Sequence, residues 1–186
     1  LTQKTFFRAV VTSGVCAPAN SSTATINVNT ASVGGTAAVT TSNPVCSGTN
    51  TTTVSLSGNT GSVTKWQYST TSDFAATTDV AGTSTSLTVS NLTASRYYRA
   101  VVTNGVCAAA NSAGALITVS PTSAAGTITG ASAQCTGTNL DTLTVSGHTG
   151  TIQWQSSITS TTTGFSDIIG ATSTTYNPAN LTATTY

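Results

Sequence analysis

The chain has 186 residues, 38% hydrophobic and 5% charged, with a formal net charge of +1. That is enough apolar mass for packed cores and too little basic charge to neutralise a phosphate backbone, so nucleic acid and anionic membrane surfaces are not expected partners. No apolar run approaches the roughly 18 residues that cross a bilayer, so no membrane insertion is expected. No initiator Met or signal peptide opens the sequence, which fits a processed or excised chain.

Ser and Thr make up more than a third of the residues, Met and Glu are absent, and only two Lys occur. Thr and Val suit pleated, half-buried strands, and Gly, Asn and Ser suit turns, so the composition predicts an all-β fold. The four Cys form no Cys-x-x-Cys pair and have no nearby His ligands. They therefore fit disulfides better than zinc, which points to an oxidising, extracellular compartment.

In chain order, the first feature is the block Phe6-Phe7-Arg8-Ala9-Val10-Val11-Thr12-Ser13-Gly14-Val15-Cys16, which returns 91 residues later as Tyr97-Tyr98-Arg99-Ala100-Val101-Val102-Thr103-Asn104-Gly105-Val106-Cys107. A second block, Cys46-Ser47-Gly48-Thr49-Asn50, returns 89 residues later as Cys135-Thr136-Gly137-Thr138-Asn139. Two independent blocks with a period near 90 indicate tandem duplication of a small sandwich domain. The expected division is residues 1–29 as the last two strands (F and G in immunoglobulin lettering) of one repeat, 30–120 as a complete repeat, and 121–186 as the front strands, A to E, of a third.

Within the complete repeat, alternation and turn residues predict strands over Thr36 to Thr41, Thr52 to Ser57, Val63 to Ser69, Ser86 to Val89, Tyr97 to Thr103, and one ending in Leu116-Ile117-Thr118-Val119. Val54, Leu56, Leu87 and Val89 face inward, and Trp66, repeated as Trp154, is a core plug. Around Phe74 the pattern is ambiguous. Asn104-Gly105 predicts a type I′ turn.

The inventory for catalysis is sparse: His148, Asp73, Asp79, Asp141 and Asp167, with no Gly-x-Ser-x-Gly elbow. His148 stands where the preceding repeat has Asn59 and is expected to be an exposed turn residue. Asp79 and Asp167 occupy similar places but lack the oxygen cluster that a hard cation needs, so no metal, cofactor or catalytic residue is expected. Arg8 and Arg99 recur among aromatics, as outward stacking residues or as a ligand-facing cation. Asn20, Asn50, Asn91 and Asn180 begin N-x-Ser/Thr triplets that a Thr-rich sequence produces by chance.

Leu92, six residues before Tyr98, resembles the tyrosine corner of fibronectin type III and immunoglobulin domains, and Leu1 with Phe7 repeats the spacing without the hydroxyl. In those families the phenol bonds upstream backbone. Cys-x-Gly-Thr, the Trp, Leu-Thr-Ala-x-x-Tyr-Tyr-Arg-Ala-Val-Val and Gly-Val-Cys also resemble the Ig-like repeats of giant surface adhesins of Bacteroidetes-type gliding bacteria. That resemblance implies tandem immunoglobulin-like β-sandwich repeats, type IX-like export, and a long surface filament for adhesion or gliding. Asp141-Thr142-Leu143 looks like the short O-glycosylation sequon of such proteins.

Antibody domains carry their cysteines in mid-strand, whereas Cys46 precedes a strand and Cys107 follows one. Bridges either join Cys46 to Cys107, if the segment before Cys46 reaches far enough, or run between repeats. The expected pairing is Cys46 with Cys107, leaving Cys16 and Cys135 to partners outside the chain. The expected function is a structural or adhesive segment of an extracellular filament and not an enzyme. Its expected partners are neighbouring repeats or copies of the same protein end to end, and a surface glycan or protein ligand is the rival reading. Spacer repeats of a larger secreted enzyme are a third reading. Residues 1–29 supply the two strands that 121–186 lacks, through one long polypeptide or through strand donation between copies.

Overall fold

A computed structural model describes residues 2–137, 139, 141–179 and 181–186; the expectations involving Leu1, Thr138 and Asn180 lie outside these. All regular structure among the described residues is β, and the chain divides into two compact units, Leu1–Ser120 and Pro121–Tyr186.

The first unit opens with a ribbon made of Thr5–Phe7 (β1), Val10–Val11 (β2), Ala19–Asn20 (β3) and Ala24–Ile26 (β4). β1 pairs antiparallel with β4, Phe7 opposite Ala24, and β2 with β3, Val11 opposite Ala19. Ser21 bridges the gap between the two ladders: its hydroxyl accepts the Ala9 N–H at 2.8 Å and its amide donates to the Ala9 carbonyl at 2.9 Å.

The rest of this unit comprises Thr36–Val39 (β5), Val45–Cys46 (β6), Thr51–Ser57 (β7), Ser62–Ser69 (β8), Thr78–Val80 (β9), Ser86–Ser90 (β10), Arg96–Thr103 (β11), Ala110–Asn111 (β12), Ala115–Ile117 (β13) and Val119–Ser120 (β14). One antiparallel sheet has the order β10-β7-β5, and a second has β9-β8-β11 with β12 and β13 both on the far edge of β11. Alternation puts Thr52, Val54 and Leu56 of β7 inside, and Tyr98, Ala100 and Val102 of β11 inside. With Trp66, Leu87, Leu92 and Ile117 they form one core to which both sheets contribute. Each large apolar side chain buried there contributes about 1.5–3 kcal/mol. Trp66 is fully buried, and its indole N–H is satisfied by the Ser84 carbonyl at 3.0 Å.

Two local expectations are corrected, and the ambiguous stretch around Phe74 is resolved. The regular ladder of the strand expected over Thr36 to Thr41 ends at Val39; Thr40 adds a last backbone bond to the Thr53 carbonyl before the chain crosses to Val45–Cys46, which pairs parallel with β14. Asn43 fills the interval, accepting the Thr118 N–H at 2.9 Å and donating to the Leu116 carbonyl at 3.0 Å. The region around Phe74 leads into a strand, β9, that alternation does not reveal. The loop after β11 is not type I′: positive φ is confined to Gly105, at 57°, and the Cys107 amide closes the turn on the Asn104 carbonyl.

The second unit contains Thr127–Thr129 (β15), Leu143–Ser146 (β16), Gln155–Ser156 (β17), Ser166–Asp167 (β18) and Thr175–Tyr176 (β19). β16 lies between β15 and β19, and β17 pairs with β18. Each has a counterpart in the first unit: β15-β16-β19 repeats β5-β7-β10, and β17-β18 repeats β8-β9. Trp154 is buried like Trp66, its indole donating to the Ser173 carbonyl at 2.8 Å.

Candidate functional site

The side chains most able to meet a ligand lie on the outward face of the β9-β8-β11 sheet. Strand register sets Arg99 opposite Gln67 and Gln67 opposite Asp79. The Arg99 Nε donates to Gln67 Oε1 at 3.0 Å, Gln67 Nε2 donates to Asp79 Oδ1 at 2.9 Å, and Lys65 Nζ reaches Asp79 Oδ2 at 2.8 Å. Lys65 and Gln67 beside Asp79 hold its carboxyl below the usual carboxylate range, Lys65 contributing most. Phe74 closes one end: the Arg99 guanidinium lies 4.4 Å from its ring centroid, and Tyr97 meets its ring edge-on at 6.4 Å. The result is a polar-aromatic strip in which Lys65 and Asp79 are ion-paired and Arg99 is held by Gln67 and the Phe74 ring. The second unit repeats its acidic end, with Gln155 Nε2 donating to Asp167 Oδ1 at 2.7 Å.

Arg99 is thus the outward stacking residue of the two readings. Leu92 and Tyr98 are both buried, but the expected corner bond is absent: among the described residues the Tyr98 hydroxyl meets no backbone group upstream of Leu92. The Tyr98 ring instead lies 6.0 Å from that of Tyr68, on which Arg96 stacks at 4.2 Å. Burial pushes the Tyr98 phenol up. The corner is pinned by Asn50, which stands in the sequence as the end of a repeated block and the start of a sequon, with no structural role assigned. Its Nδ2 donates to the Cys46 and Leu92 carbonyls, both at 2.7 Å, and its Oδ1 accepts the Leu92 N–H at 3.0 Å. The signal available was its place in the repeated Cys-x-Gly-Thr-Asn block, and Asn139 occupies the same place in the second unit.

The Cys46–Cys107 bridge is not formed: all four cysteines are free thiols. Cys46 sits by Leu92, ahead of β11, whereas Cys107 lies beyond its far end, where its thiol donates to the Thr30 carbonyl at 3.2 Å. The intervening strand Arg96–Thr103 spans roughly 25 Å, well above the roughly 7 Å limit for a disulfide. Cys16 and Cys135 are exposed.

His148 is half-buried rather than exposed, and its Nδ1 has no hydrogen-bond partner. Among the described residues no three His, Cys, Asp or Glu side chains converge as metal ligands would. Asp73 is tied to its own turn by the Thr71 hydroxyl at 2.6 Å and the Ala75 amide, which lower its pKa. Asn20 and Asn91 are exposed, and Asp141 is engaged by Ser132 and Gln134.

A different kind of site lies in the opening ribbon. Phe7 is 47% exposed, Val11 60% and Ile26 47%, yet their counterparts Tyr98, Val102 and Ile117 are at most 2% exposed. The ribbon has the same register as β11 with β12 and β13, down to the Ser21 bond repeated as Ser112 Oγ accepting the Ala100 N–H at 2.9 Å. It is a folded hairpin with its core face uncovered.

These features define an all-β protein built on an internal repeat. The chain belongs to the family described as a domain of unknown function (DUF8696), which it matches over residues 1–30, 33–121 and 124–186. No curated protein matches it.

Proposed function

We propose that this chain is a structural, adhesive segment of a long extracellular filament built from tandem immunoglobulin-like β-sandwich repeats, and that it is not an enzyme. The observation that carries the reading is the recurrence of one hairpin register: Val10 opposite Asn20 and Val11 opposite Ala19, then Val101 opposite Asn111 and Val102 opposite Ala110. The three successive family matches break at residues 31–32 and 122–123, within about two residues of the boundaries read from the repeat, which supports it. Units of this kind contact mainly their neighbours and give length without a large fold. A low-charge hydroxyl surface suits export and attachment at the cell surface, and the resemblance to gliding-bacterium adhesins suggests type IX-like secretion and a role in adhesion or gliding.

Small-angle scattering of a protein carrying several consecutive repeats tests this: the expected profile is that of a rod whose length grows with repeat number. A radius of gyration following compact-globule scaling sinks the reading. A glycan- or protein-binding module is the second reading, favoured by the strip of Tyr97, Phe74, Arg99 and Gln67. Titration against polysaccharides, followed by Arg99→Ala, separates the two.

A further inference from the structure

We propose that disulfides form across the links of the array, the thiol at the Cys46 position of one repeat bonding to the thiol at the Cys107 position of the next. This rests on the repeat reading above and gives its links a covalent lock. Both cysteine positions recur, Cys46 as Cys135 and Cys107 as Cys16, yet within one repeat they lie at opposite ends of β11, too far apart to bridge. What each of them lies against is a link.

Cys46 stands where a repeat finishes. It is the register partner of Ser120 in the parallel ladder of β6 with β14, and the Ser47 amide donates to the Ser120 carbonyl at 2.8 Å. Partners in such a ladder lie about 4.8 Å apart with their side chains on one face. Val45 is buried and Cys46 exposed, so the thiol and the Ser120 side chain share the face turned from the core. Cys107 stands where a repeat begins. Its thiol meets the Thr30 carbonyl at 3.2 Å and the Asn29 carbonyl at 3.7 Å. The turn that carries it grips the same segment: Asn104 Nδ2 donates to the Thr30 carbonyl at 3.0 Å and to the Thr30 hydroxyl at 2.9 Å, and the Asn104 amide donates to Ser32 Oγ at 2.8 Å. The Asn29 side chain fills the space that a Cβ on Gly105 would need.

The two placements fall on one residue. The strands that end a repeat keep one register, Ala24 and Ile26 pairing as Ala115 and Ile117 do, so Asn29 is the counterpart of Ser120. A cysteine at the Cys46 position of the repeat that ends at Asn29 therefore lies beside Asn29, on the face its side chain takes, and that side chain runs to the turn holding Cys107. Each link receives one thiol from the repeat it closes and one from the repeat it opens. This accounts for two cysteines in the complete repeat, placed at opposite ends. Bridging joins the two sulfurs by thiol–disulfide exchange, and the two protons and two electrons end on a small disulfide oxidant such as glutathione disulfide, which leaves as two thiols.

The test uses a chain with one more repeat, residues 1–120 followed directly by residues 30–186, which keeps the 91-residue spacing across the new link. It is oxidised at low concentration with glutathione disulfide, alkylated, digested without reduction and read by mass spectrometry. Expected is a single intramolecular bridge, joining Cys46 of the first copy of the repeat to Cys107 of the second. Cys46→Ser in the first copy or Cys107→Ser in the second abolishes it, whereas Cys107→Ser in the first copy and Cys46→Ser in the second leave it intact. No bridge, or any other pairing, overturns the proposal. Circular dichroism of the reduced chain separates this failure from failure of the repeat reading. If the added residues bring a further share of β signal that is lost cooperatively on heating, yet the expected bridge is missing, the link pairing falls and the repeat reading stands. If they bring none, both fall.

Discussion

Asn50 holds the corner with three hydrogen bonds of 2.7–3.0 Å: two tie the start of β7 to Leu92, ahead of β11, and the third reaches back to the Cys46 carbonyl. Removing them leaves the Leu92 N–H unpaired, while its carbonyl keeps the Gly48 N–H at 3.0 Å, so Asn50→Ala is expected to lower stability by about 1–3 kcal/mol in urea denaturation. Asn50→Asp should lose nearly as much, because it keeps the acceptor but not the donors. Trp66→Ala empties the centre of the core and should cost about 3–5 kcal/mol. Tyr98 provides a pH signature. Burial raises its folded pKa, so the folded state holds the proton more tightly than the unfolded chain does. Its stabilising contribution is intact below about pH 10 and lost as pH rises further. Tyr98→Phe should flatten that alkaline slope in the unfolding midpoint. Asp79 works in the opposite sense: its depressed pKa adds stability at neutral pH that fades in acid, below about pH 4, and the effect is small because the carboxylate is exposed.

Among the elements, β7, β8, β10 and β11 were readable to within a residue or so: β7, β8 and β10 alternate apolar and polar side chains over five or more positions, and β11 carries the aromatic and β-branched run Tyr97 to Val102 that recurs as a block. β9 escaped notice because Thr78-Asp79-Val80 offers one half-buried apolar side chain and is held by pairing with β8. The crossing from β5 to β6 was hidden for a similar reason: Asn43 bonds imitate a backbone ladder, and nothing in periodicity marks that substitution. Arg99 and Asp79 of the outward strip were visible as residues, but their link through Gln67 depends on register across three strands. The Cys46–Cys107 pairing required the segment before Cys46 to reach the far end of β11, and it does not: Cys46 stays beside Leu92 while Cys107 lies past Thr103. Close packing against backbone is tight at Gly34, where a Cβ would stand 1.9 Å from the Asn111 carbonyl oxygen. Gly34→Ala should therefore destabilise by about 1–3 kcal/mol or more, seen as a lower thermal midpoint with loss of order in the Asn111 strand.

For the molecule as a whole, repetition outweighs any single site. The same hairpin occurs once with its apolar face inside a core and once with that face bare. Hydrogen exchange should reflect the difference: amides of β11 are expected to be protected near the global unfolding limit, and those of β1 to β4 to exchange fast at low concentration. Equal protection of the two at low concentration would contradict the structure.

Lys65–Asp79 is the one ion pair among the described residues of a chain with nine charged side chains. Cohesion that depends so little on ions has little for dissolved salt to screen. The folded units should keep their unfolding midpoint from dilute buffer to molar sodium chloride.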